Sequence, residues 1–254
     1  VLTIENLSVD YSGKMVLRDL NISIPEGKIT ALIGPNGCGK STLLKAISGS
    51  LKVAAGKVSL AGQDLTKLSH KNRAKRLSIL PQAPLTPEGI SVKQLVSFGR
   101  NPYLSQWGGL SPDDLQKVQM ALLETGLTEL ADRPVDSLSG GQRQRAWIAM
   151  VLAQDTQYIL LDEPTTYLDL THQIELMEMM QKMNINGKTL VVVLHDLNQA
   201  CRYCDHLIVM QEGRIIAQDT PHKIFDSKLL KQVFALNAII INDPVANKPM
   251  CIPL

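Results

Sequence analysis

No stretch of this 254-residue sequence approaches the ~18 consecutive apolar residues of a membrane span. The N-terminus, Val1-Leu-Thr-Ile-Glu-Asn-Leu7, lacks the basic-then-apolar layout of a secretory signal. It also lacks an initiating methionine, so residue 1 need not be the first codon. The expectation is a soluble chain whose membrane role, if any, runs through a partner. Net charge is nearly absent, +2 at pH 7, which argues against binding nucleic acid through bulk charge. The densest basic run, His70-Lys-Asn-Arg-Ala-Lys-Arg76, reads as a solvated helix face. Cysteines are few: Cys38, Cys201, Cys204 and Cys251. Cys201 and Cys204 form a lone C-x-x-C without a second ligand pair for zinc. Helical spacing on a packed face is the expectation for them, in a reduced cytosolic chain. Internal repeats and low-complexity segments are missing as well.

What is present suffices for one large core, or one core plus a small lobe. Residues 2–10 and 16–24 alternate apolar and polar like half-buried strands. Residues 28–34 read as a short buried strand leading into a helix at about 40–49. Residues 57–61 and 77–81 read as further strands. From 83 to 155 the texture changes: prolines and glycines break up short helices, and Ser111-Pro-Asp-Asp114 has the cap, the proline and the acids of a helix start. From 157 the pattern is strand 157–162, helix 171–185, strand 188–194, helix 196–203, which predicts a mainly parallel α/β sheet. Residues 207–218 read as a closing hairpin turned at Glu212-Gly213, and 235–254 as a short tail.

Three motifs carry chemistry. In Gly34-Pro-Asn-Gly-Cys-Gly-Lys40-Ser41-Thr42, glycines let backbone N–H groups wrap phosphate oxygens at a helix start. Asn36, Gly37, Cys38, Gly39, Lys40, Ser41 and Thr42 are its nucleotide-binding residues. Lys40 reaches the β- and γ-phosphates, and the Ser41 hydroxyl can bind Mg²⁺. The second motif is Tyr158-Ile-Leu-Leu-Asp162-Glu163, an apolar strand ending in two acids. Strand carboxyl ends are where open α/β sheets bind ligands. Asp162 is assigned to Mg²⁺ and Glu163 to general base. The third is Leu138-Ser-Gly-Gly-Gln142, a hydroxyl and two glycines at a helix start, which makes an anion cradle. It lies outside the first α/β half, and a head-to-tail, twofold pair of chains would bring it to a partner's phosphate loop.

With these motifs in this order, the chain resembles the ATP-binding cassette family over essentially its whole length. The resemblance implies an α/β fold: a P-loop nucleotide-binding domain with a mainly parallel core sheet, an antiparallel N-terminal sheet and a helical subdomain. One domain would span 1–254, with 1–82 and 156–234 as the core, 83–155 as the helical lobe and 235–254 as the tail. It implies an ATPase using ATP and Mg²⁺, with Ser139, Gly140, Gly141 and Gln142 facing the ATP of a second copy. Gln82 looks like the family's glutamine that touches Mg²⁺ and water, and His195 like its switch histidine. Tyr11 is placed like the adenine-stacking aromatic, and Asp169 like the dimer-contacting aspartate, although Tyr167 departs from the usual wording. The segment Leu85-Thr-Pro-Glu-Gly-Ile90 and the Gly99-Arg-Asn-Pro102 pattern resemble importers of iron chelates, heme and cobalamin, most of all the iron(III) dicitrate type. The resemblance implies as partners two membrane permeases, indirectly a substrate-binding protein, and no nucleic acid. It implies a peripheral place on the cytoplasmic face of the bacterial inner membrane.

Overall fold

The protein is described by a computed structural model covering residues 1–11, 13–85, 87–105 and 108–254. Thr86 of the chelate-type segment, and Gln106 and Trp107 further along the lobe, lie outside the described residues. The first elements are β1 (Leu2–Tyr11), β2 (Lys14–Ile24), β3 (Ile29–Ile33), α1 (Lys40–Ser48), β4 (Ala55–Leu60), β5 (Gln63–Asp64), α2 (His70–Ala74) and β6 (Leu77–Leu80). Then come α3 (Val92–Ser97), α4 (Pro112–Glu124), α5 (Gly140–Ala153), β7 (Tyr158–Leu161), α6 (Leu170–Ile185), β8 (Thr189–Val193) and α7 (Leu197–Tyr203). The chain closes with β9 (His206–Gln211), β10 (Arg214–Asp219), α8 (Pro221–Ile224), α9 (Ser227–Phe234), β11 (Ala238–Asn242) and β12 (Pro249–Pro253).

The main sheet runs β10-β9-β3-β8-β7-β6, and the N-terminal sheet runs β2-β1-β4-β5 with antiparallel pairings. In the main sheet β9, β3, β8, β7 and β6 are parallel, and β10 pairs antiparallel to β9. Strands β3, β7 and β8 are buried at every position, as parallel strands covered on both faces must be. Their alternate residues serve two cores. Leu32, Leu160, Val191 and Val193 pack with α1 and the N-terminal sheet. Ala31, Ile159, Leu161, Leu190 and Val192 pack with the helices on the opposite face.

The lobe between β6 and β7 is helical, as the texture predicts. Ser111 caps α4 and shares a capping box with Asp114, with Pro112 opening the helix. Asp114 has a second role. Arg100 Nε donates to its Oδ1 at 2.7 Å, with the two side chains only 4% and 9% exposed. Arg100 also donates to the Ala153 carbonyl at 2.8 Å and lies 3.9 Å over the Tyr103 ring. The arginine of the Gly-Arg-x-Pro pattern thus ties α4 to the end of α5.

One expectation needs correction. The basic run 70–76 is not wholly a solvated face, because Arg73 is buried and donates to the Leu65 carbonyl. A Cβ on Gly49 would collide with the Arg73 guanidinium, which explains the glycine there. Within the short tail, β11 and β12 pair antiparallel, Ile240 opposite Cys251, and Ala238 and Cys251 join the main core. Cys201 and Cys204 are fully buried free thiols. Burial pushes the Cys201 thiol up to about 12, in keeping with packing rather than redox chemistry.

Candidate functional site

A cleft of about 330 Å³ opens at the carboxyl ends of the parallel strands, lined by Val16, Asn36, Gly37, Gly39, Lys40, Ser41, Thr42, Gln82, Glu163 and His195. The loop from β3 to α1 forms its floor. Gly34 passes so close to β9 that a Cβ would sit 2.2 Å from the Met210 carbonyl oxygen. Gly39 is left-handed, φ 109°, where it precedes α1. Helix α1 has no side-chain cap, so its first N–H groups, which lack helical partners, are available to an anion. Lys40 is 5% exposed, and its Nζ donates to the Gly34 and Pro35 carbonyls at 2.8 and 3.0 Å. Cys38 is the exception within 36–42. It does not line the cleft; its side chain is buried and its backbone bonds Pro35 and Gly213.

The two adjacent acids have separated environments. Asp162 is 2% exposed, and Ser41 Oγ donates to its Oδ1 at 2.9 Å. Burial pushes its pKa up, the neighbouring Glu163 adds to the rise, and the Ser41 hydrogen bond opposes it. Glu163 stands in the left-handed region at φ 51°, a conformation that costs a non-glycine residue about 1–2 kcal/mol. Its carboxylate lies in a polar bracket. Gln82 Nε2 donates to Oε2 at 2.6 Å, and His195 Nε2 lies 2.8 Å from Oε1. Thr166 Oγ1 donates to Oε2 at 3.3 Å. Sequence reasoning missed Thr166 and the cleft-lining Val16. The first is three residues beyond Glu163 in a turn, a spacing that could have flagged it.

The third motif stands apart from this cleft. Ser139 caps α5, accepting from Gln142 N at 3.2 Å while Gln142 Oε1 accepts from Ser139 N at 3.1 Å. A hydroxyl that accepts in this way keeps its own proton to donate. The two glycines differ. A Cβ on Gly140 would meet open space, whereas one on Gly141 would sit 2.5 Å from the His172 ring on α6. Gly140 therefore leaves the helix start open to a ligand, and Gly141 permits close packing. Asp169 caps α6 through His172 N at 2.9 Å. Before it, Tyr167 is left-handed and 99% exposed. Tyr11 is 44% exposed at the end of β1, outside the residues that line the cleft. None of Ser139, Gly140, Gly141, Gln142 and Asp169 lines it either.

This fold and this floor define a P-loop nucleotide hydrolase whose sheet is interrupted by a helical lobe. Residues 17–166 match the model of the ABC transporter family, and the chain belongs to that family. It is an ATP-binding ATPase chain. It is 49% identical over 252 residues to the iron(3+)-hydroxamate import ATP-binding protein FhuC of Bacillus subtilis (strain 168), covering 99% of this chain and 94% of that one. It is 51% identical over 256 residues to the achromobactin transport ATP-binding protein CbrD of Dickeya dadantii (strain 3937), again covering 99% and 94%. Among solved structures, it aligns with an inward-facing conformation of a putative metal-chelate type ABC transporter at a TM-score of 0.86 and 29% identity, over 100% of this chain and 96% of that one.

Proposed function

We propose that the chain is the motor of an importer for an iron(III) chelate. ATP hydrolysis here would energise uptake through two membrane permeases, fed by a substrate-binding protein. The observation that carries the motor assignment is Glu163, turned into the cleft and held between Gln82 and His195. A carboxylate so placed is poised to take a proton from an attacking water. Lys40 and the N–H groups of α1 hold the phosphates, and Tyr11 stacks on the adenine. His195 contacts the γ-phosphate and orients Glu163.

The residues present fit Mg²⁺. Ser41, Gln82 and Asp162 offer the oxygen donors it prefers, and the buried carboxylate wants a cation. Among the described residues no group of three or more His, Cys, Asp or Glu could hold a metal. Mg²⁺ here would be held by few side chains and mostly by phosphates and water. Bound there, Mg²⁺ would neutralise phosphate charge.

Ser139, Gly140, Gly141 and Gln142 lie outside the cleft, and the reading that uses them is a head-to-tail homodimer with ATP at each junction, Asp169 on the contact. Among the described residues no helix is long and apolar enough to cross a membrane. On its permeases, the motor would sit peripherally at the cytoplasmic face of a bacterial inner membrane. The cargo class rests on the relatives. FhuC and CbrD are named for different chelates at nearly equal identity, so the class is proposed and the particular chelate left to experiment.

Uptake of radiolabelled iron(III) citrate and iron(III) hydroxamate, with heme and cobalamin as comparators, tests this in cells lacking the gene. Restoration of one iron chelate by wild type but not by Glu163→Gln is the expected result. Unchanged uptake of every chelate in the deletion would refute the cargo assignment, and a fully active Glu163→Gln would refute the role given to Glu163.

A further inference from the structure

His195 must hold its ring against Glu163, yet its side chain is 43% exposed. Packing does not fix it, so its position depends on the backbone that carries it. That backbone is the turn into α7. Asp196 caps the helix, accepting from Asn198 N at 2.8 Å and Gln199 N at 2.9 Å. The same Asn198 then reaches out of the turn. Its Nδ2 donates to the Cys251 carbonyl at 3.1 Å, and its Oδ1 accepts from Cys251 N at 2.8 Å. A side-chain amide bonded to both backbone groups of one residue mimics a strand partner. It fixes β12 in two directions. The C-terminal hairpin is fastened to α7 at two further points: Arg202 pairs with Asp243, and Lys248 Nζ donates to the Cys204 carbonyl at 2.8 Å. On the other side, Gln199 Nε2 donates to Gln173 Oε1 at 2.8 Å, and Gln173 Nε2 to the Leu168 carbonyl at 2.9 Å, next to Asp169. The start of α7 is thus held between the C-terminal hairpin and the turn before α6.

We propose that Asn198 is a positioning residue for hydrolysis. By clasping Cys251 of the C-terminal hairpin, it braces the turn that presents His195 to Glu163. The brace rests on the role given to His195 above. It gives the β11–β12 hairpin, which takes no part in the cleft, a function in the chemical step. Loss of the clasp frees the turn and leaves the phosphate loop untouched, so turnover falls while nucleotide affinity stays. Lys248 ties the hairpin at the far end of α7, so its loss loosens the tail without freeing the turn.

The test is steady-state ATPase of the full chain, reading kcat and KM for ATP. Asn198→Ala should lower kcat about tenfold, the scale of a small misplacement of a reacting group, with KM within about twofold. Lys248→Met should leave kcat within about twofold and lower the melting temperature. In a His195→Ala background, Asn198→Ala should change kcat by less than about twofold, because residues that act through one another are not additive. An equal loss in both backgrounds overturns the brace, since the effect then bypasses His195. So does an unchanged kcat in Asn198→Ala. If Asn198→Ala does not fold, Asn198→Asp keeps the acceptor for Cys251 N and should give an intermediate kcat; wild-type turnover there would overturn the brace. A His195→Ala with full activity would instead strike down the histidine's role, and the brace with it.

Discussion

Glu163 and Asp162 are neighbours in sequence with opposite needs. Glu163 is bracketed by Gln82, His195 and Thr166, the arrangement on which its proposed role rests. Replacing it by glutamine should cost about 10²–10⁴ in kcat with ATP binding nearly intact. A fluorescent-nucleotide titration beside the ATPase assay checks both halves, and equal loss of binding would sink the base assignment. Asp162 is a carboxylate held at a cost. Its pKa is raised by burial, so the folded state holds the proton more tightly than the unfolded one. Stability of the nucleotide-free protein then falls as pH rises from the unfolded value of about 3.9 through the raised folded value. Asp162→Asn should raise the melting temperature at pH 7, a gain that shrinks toward pH 4, and should abolish Mg²⁺-dependent hydrolysis. A lower melting temperature at pH 7 would mean that the charge is already compensated by the protein. Both acids were legible in the sequence, because an apolar strand ending in two carboxylates is a local pattern. Thr166 went unread because its use depends on where the Glu163 turn points its carboxylate.

Elements show where local reading ends. The start of α4 was legible because cap, proline and acids all lie within four residues. The partner of Asp114 was not, since Arg100 lies 14 residues away across a lobe whose folding the pattern does not specify. Likewise Arg73 looked like one more solvated cation until the Leu65 carbonyl and Gly49 closed over it. The last 20 residues read only as a short tail, because their strand pairing is not a local pattern. A two-stranded hairpin is all edge and tolerates Pro249 and Pro253 in β12. The buried pair carries its own prediction. Hydrogen bonds from Ser111, then from Arg100, hold the Asp114 carboxyl at about 2. Its contribution is therefore full above the unfolded value and lost as pH falls through about 2. Asp114→Asn leaves the Arg100 charge buried without its partner and should cost about 3–5 kcal/mol. Urea titration at pH 7 measures it, and a cost under ~1 kcal/mol would mean that Arg100 finds another carboxylate or water.

At the scale of the molecule, the cleft and the start of α5 pose a geometric problem. One chain holds the cleft floor at 36–42 together with Glu163 and His195, the residues proposed as base and switch. It also holds a second anion cradle at Ser139 and Gly140 that lines none of them. Two copies solve it if each lends its cradle to the other's cleft. The fold suits this, because α5 is anchored at its start by the contact of Gly141 with His172 on α6, just past Asp169. The cradle and the proposed contact residue therefore lie against the same helix start. Mixing two inactive chains separates this arrangement from a self-contained site. Lys40→Ala spoils the floor and Ser139→Glu places a negative charge in the cradle, so each homodimer has two damaged sites. In a mixed pair one site combines both lesions, while the other joins an intact floor to an intact cradle. Mixing should therefore restore ATP-dependent association and a fraction of the wild-type ATPase. Sites complete within one chain would give no restoration at any mixing ratio.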